Sequence, residues 1–143
     1  MATTVQQVFD MAIHLMDEQN ESTGATLTVD TTEYKTRTIS ILNTVIPALY
    51  PFSGNYVPGD YGRPVPKALD WGEYRSPDFT QVIDLDDTLC LSCLPYFLAA
   101  QLLSAENDVL AAWFMNRYRE TFNDLRNRIP AEFERIPTPY GTF

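Results

Sequence analysis

Three groups of residues in this chain have types and spacing that chemistry could use. Cys90 and Cys93 form a C-x-x-C pair, which on a helix would place both sulfurs on one face. A zinc site needs about four ligands, and the single histidine, His14, is far away in the sequence. A redox pair calls for a preceding strand and an exposed helix start, whereas these thiols lie inside the most apolar run of the chain. They read as two buried structural thiols, because free cysteine ordinarily behaves as a small core hydrophobe. Asp84, Asp86 and Asp87 could hold a metal or trade protons, but helix capping explains them more simply. Asp84 is the expected cap, with Asp86 and Asp87 in the first turn, where the amide dipoles favour negative charge. His14 as a general base would need a nucleophile and an orienting acid, for which Asp10, one turn away, is the candidate. No phosphate-cradling glycine loop, G-x-S-x-G or H-E-x-x-H occurs. The expectation is a protein that is not an enzyme, with no catalytic residue, metal or cofactor.

The elements that position these residues are organised around 84–107, DLDDTLCLSCLPYFLAAQLLSAEN. From Thr88 to Ala105 it carries no charge, and from Leu89 to Leu103 only Ser92 and Gln101 interrupt the apolar and aromatic residues. A helix that is apolar all round must be wrapped by protein or by lipid. The run is near the lower length limit for a membrane span, holds Pro95 in its middle and is flanked by carboxylates rather than Lys or Arg, so a buried central helix is expected and no membrane. Pro95 either kinks it or opens a second segment.

Other helices are expected at about 4–19, 32–50 and 108–128, giving with 85–105 a mainly α, single-domain bundle of about four helices. In the first, Thr3 and Gln6 have capping-box spacing. Val5, Val8, Phe9, Ala12, Leu15 and Met16 form its apolar stripe, and His14 falls on the wet side. In the second, Tyr34, Thr38, Ile41, Leu42, Val45 and Leu49 line one face, widened by Ile39 and Ile46, with Asn43 outside; Pro47 and Pro51 end it. The last, capped by Asn107 or Asp108, buries Ala111, Phe114, Met115, Tyr118, Phe122, Leu125 and Ile129, while Trp113 projects onto its polar side. Residues 51–83 hold five of the ten prolines and four of the six glycines, yet are rich in aromatics, so an ordered irregular excursion is expected. A short strand or hairpin is placed at about 67–74 and 80–83. The tail, 130–143, carries Pro130, Pro137 and Pro139 with Phe133, Tyr140 and Phe143, and should be extended.

At 143 residues the chain suffices for one self-sufficient core. Its net charge of -9 argues against gripping nucleic acid, which requires clustered Lys and Arg. The first residues lack the basic and apolar blocks of a secretory signal, and two cysteines suit a reducing compartment, so a cytoplasmic start is expected. What the core does not need is apolar surface: Trp71, Tyr74, Trp113, Phe133, Tyr140 and Phe143 are the candidate interface.

IDLDDTL, LPYFLAAQLLSAEN and NRYRETFNDL, with YKTRTISILNTVIPALYP before them, resemble the small helical head-tail connector (adaptor, head-completion) proteins of long-tailed bacteriophages and prophages. The chain departs from that family's pattern in placing Phe97 where a glycine follows the Pro-aromatic pair. The resemblance implies a virion protein, in the host cytoplasm before assembly, whose copies form a ring that meets portal and tail-completion proteins. It implies no catalytic residue and no tight hold on the DNA that passes. An expectation of another class is a small cytoplasmic module that takes a peptide or small ligand between 51–83 and the last helix, in a pocket lined by Trp71, Tyr74 and Trp113.

Overall fold

A computed structural model describes residues 2–16, 32–54, 66–70, 72 and 77–128, the last two by backbone alone. The fold is mainly helical: α1 (Val5–Met16), α2 (Thr32–Leu49), a 3-10 turn (Tyr50–Phe52), α3 (Asp87–Ser92), α4 (Leu94–Leu103) and α5 (Asp108–Arg128). Helix α4 is the hub and packs against α1, α2, α3 and α5. Leu94, Leu98, Ala99, Ala100, Leu102 and Leu103 are all buried.

The expected central helix is two helices. Pro95 stands in the first turn of α4, where its missing N–H has no intrahelical role, and Cys93 joins the segments with φ −103° and ψ −45°. Continuity of hydrogen bonding is kept around the break: the Cys93 N–H donates to Leu89 O at 3.0 Å and the Phe97 N–H to Cys93 O at 3.2 Å. The cap is Asp86 and not Asp84. Asp86 Oδ1 accepts from the Leu89 N–H at 2.9 Å, its Oδ2 from the Gly54 N–H at 2.6 Å, and its own N–H donates to Ser53 Oγ at 2.8 Å. Asp84 instead accepts from the Lys67 N–H at 2.8 Å. Aspartates at 84, 86 and 87 all fit a cap by type; contact with the 53–54 turn selects the middle one. That turn approaches so closely that a Cβ on Gly54 would lie 3.2 Å from Asp86 Oδ2.

The capping box of α1 is likewise shifted by one residue. Thr4 N–H donates to Gln7 Oε1 at 2.9 Å and Gln7 N–H to Thr4 Oγ1 at 3.3 Å. In TTVQQ both registers satisfy the pattern, and Thr3 is taken out of contention because it is buried and its hydroxyl donates to Asp87. The Val5 and Gln6 N–H groups donate to Gln81 O at 3.0 Å and Phe79 O at 2.9 Å, so every orphan amide of this helix start is paired. On α1, Leu15, expected in the apolar stripe, is 40% exposed, and Ile13, which that stripe did not include, is buried. His14 is exposed as expected. The described α1 ends at Met16; the expected 17–19 turn lies outside the described residues.

The expected hairpin does not form among the described residues, which contain no strand and one isolated bridge, Thr4 with Val82. Side-chain amides replace the ladder. Asn43, expected to face water, bonds both backbone groups of Leu69 at 2.9 and 3.0 Å, and Gln81 bonds both of Asp70 at 2.7 and 2.9 Å. A pattern of strand residues cannot distinguish a backbone partner from an amide side chain that imitates one. On α2, Tyr34, Thr38, Ile39, Leu42, Val45, Ile46 and Leu49 are buried, and the helix tightens into the 3-10 turn at Pro51.

Asp86→Ala should lower the unfolding free energy by about 2 kcal/mol, since it removes a cap and orphans the Gly54 amide. Asp84→Ala should cost less. Urea unfolding of the two variants checks this, and a larger loss at Asp84 would contradict the assignment.

Candidate functional site

The residues with chemical potential are spent on the fold. Asp84, Asp86 and Asp87 take the partners described above: a backbone amide, a helix cap and a buried threonine. A cleft of about 890 Å³ opens beside them, bordered by Lys67, Asp70 and Gln81. Among the described residues no group of three or more His, Cys, Asp or Glu side chains is placed to hold a metal. Asp10, one turn before His14, accepts from Gln6 Nε2 at 2.7 Å.

Cys90 and Cys93 are free thiols with no exposed surface. Burial pushes both thiols up to about 12, and the nearby carboxylate of Asp86 adds to the effect on each. The Cys90 thiol donates to Leu85 O at 3.7 Å. A thiol held protonated is neither a nucleophile nor a metal ligand, so the pair packs at the α3–α4 break as inert apolar groups.

The interface candidates fare differently. Trp71, Tyr74, Phe133, Tyr140 and Phe143 lie outside the described residues. Trp113 is 53% exposed, and its ring stands edge-on to Phe114 with centroids 5.1 Å apart. It lines an open groove of about 450 Å³ with Asn107, Val109 and Leu110. Asn107 fixes this end of α5 by accepting from the Leu110 N–H at 3.1 Å. Val109, at 83% exposure the most open large hydrophobic among the described residues, was missed as an interface residue. Its signal is in the sequence, because a residue one turn before Trp113 shares its helix face.

Further along α5 the apolar stripe is only half covered. An aromatic run crosses it: Phe97 to Tyr118 at 5.1 Å, Tyr118 to Phe122 at 6.3 Å, and Phe122 to Phe52 at 5.2 Å between centroids. Phe97 therefore fills the space between α4 and α5 with a ring, and Phe52 anchors the start of the excursion on α5. Among the described residues no helix is long and apolar enough to cross a membrane.

No family model, curated protein or solved structure matches this chain.

The thiol assignment is checked by reaction with a disulfide reagent at pH 8. Both cysteines should be nearly unreactive in the native protein and react freely in urea; rapid native reaction of either would contradict it. Because both pKa values are raised on folding, the unfolded chain loses these protons first, and stability should fall as pH rises from about 9 toward 12.

Proposed function

We propose that the chain is a non-enzymatic virion structural protein, a head-tail connector whose copies join a ring between the portal vertex and the tail. The observation that supports this most is the exposed Val109–Trp113 face on a helical body whose Asp84–Asp87 cluster and two thiols are engaged internally. A large aromatic beside an open aliphatic residue is what an interface hot spot requires, and a monomer gains nothing from exposing it. The segments that carry the resemblance coincide with α2, the start of α3, α4 and α5, so it follows helices that pack together.

The net charge of -9 suits the same role. A channel wall should let DNA slide past, and a negative surface offers phosphates no counter-charge to hold. The partners are further copies of the chain, portal protein and tail-completion proteins.

Sedimentation of the purified chain, alone at rising concentration and mixed with portal rings from the same genome, tests this. Mass above the monomer or co-sedimentation with the rings is expected, weakened roughly tenfold or more by Trp113→Ala. A chain that stays monomeric under both conditions would overturn the proposal.

A further inference from the structure

The cleft of about 890 Å³ beside the aspartates lies against a strand edge that the fold leaves unpaired. Thr4 and Val82 face each other in the antiparallel bridge. The bonds that make it run on either side of them, from the Val5 N–H to Gln81 O at 3.0 Å and from the Ile83 N–H to Thr3 O at 2.9 Å. In that register the N–H and C=O of Val82 itself point away from the start of α1. Thr4 uses both of its groups, on Gln7 Oε1 and the Val8 N–H, whereas neither group of Val82 has a partner among the described residues. Val82 is also 53% exposed.

The cleft opens on this free side. It is bordered by 81–87 and 67–70, with Ala2 and Gly54, and by none of Thr3, Thr4 and Val5. The two runs are antiparallel, since the Lys67 N–H donates to Asp84 Oδ2 at 2.8 Å and Gln81 Nε2 donates to Asp70 O at 2.9 Å. Each of these rungs puts a side chain between backbones that a sheet would hold about 4.8 Å apart, so the runs stand wider than paired strands. The stretch between the rungs is about 10 Å long, the length of three or four extended residues.

We propose that this cleft takes an extended basic segment of a partner protein, which adds as a strand to the Val82 edge and sets a Lys or Arg side chain against the aspartates. Strand addition draws its affinity from main-chain bonds, and the side chains beside the edge choose the sequence. Here charge makes that choice. Asp70, Asp84, Asp86 and Asp87 border the cleft against one described cation, Lys67. The donors to Asp86 are the neutral amides of Leu89 and Gly54, and Asp70 bonds Gln81 only through its backbone, so hydrogen bonding removes neither charge. A neutral strand gains the backbone bonds alone, whereas a basic one gains those and the acidic rim. A second copy of this chain, with its net charge of -9, is the poorer match. None of these residues lines the Trp113 groove, so the inference goes beyond the connector reading and does not depend on it.

The test uses the full-length protein and a fluorescein-labelled Lys-Val-Thr-Val-Lys peptide, followed by anisotropy. Saturable binding below about 1 mM is expected, with the amide NMR signals of Val82 and Ala68 shifting on titration. Asp70→Asn should weaken it roughly threefold or more. Replacing the peptide's lysines with glutamate, or N-methylating its alternate amides, should abolish binding. Val82→Pro removes only an unused N–H and should abolish it as well, with the helical circular dichroism unchanged. A glutamate or N-methylated peptide that binds as tightly as the lysine probe, or no saturation by the lysine probe, would overturn the inference. Self-association of the chain that disappears with Val82→Pro would assign the edge to a second copy and overturn it too.

Discussion

Everything else in the fold answers to one constraint: α4 has no face that water will accept. Its leucines and alanines are buried on all sides, and the neighbouring helices are arranged to cover them. Each cover contributes a stripe, Val8, Phe9 and Ala12 from α1, Ile39, Leu42 and Ile46 from α2, and Ala111 and Phe114 from α5. The ends of so buried a helix need their own partners. Arg37 of α2 donates to Leu102 O at 3.1 Å, placing positive charge where the carbonyl dipoles point, and Tyr34 donates to Glu106 just beyond. At the other end Pro95 removes the need for one amide partner.

A second layer of polar bonds ties the irregular excursion to this core. The 79–83 stretch pairs with the start of α1, Asn43 grips Leu69, Gln81 grips Asp70, and the three aspartates reach Lys67, Gly54 and Thr3. In the described parts of 51–83, backbone groups are thus satisfied one at a time by side chains in place of a strand ladder. The bonds also give each aspartate of the acidic cluster a structural partner.

Much of this was legible in the sequence, and the misses share a cause. Helix positions followed from apolar spacing, and the burial of Cys90 and Cys93 followed from the run that contains them. Burial on α2 was read almost completely, because its stripe is wide. The cap at Asp86, the capping box at Thr4 and the role of Asn43 were not legible, since each is chosen by a residue distant in sequence: Ser53 and Gly54, Asp87, and Leu69. Leu15 was misplaced in the stripe and Ile13 left out of it for a related reason, because α1 buries only the width that α4 and Phe79 present to it. Of the candidate interface, Trp113 is exposed as its helical phase implied, and Val109 could have been joined to it by the same count; the other five positions lie outside the described residues.

The buried hub around α4 is thus distinct from the open apolar edge at the start of α5. Amide hydrogen exchange on the full chain, compared between dilute protein and the assembled ring, tests that division most directly. Amides of Leu98 to Leu103 should exchange only through global unfolding in both states, and added protection on assembly should fall on the first turns of α5 around Trp113. Exchange of α4 by local opening, or protection that appears on α1 and α2 while α5 is unchanged, would contradict it.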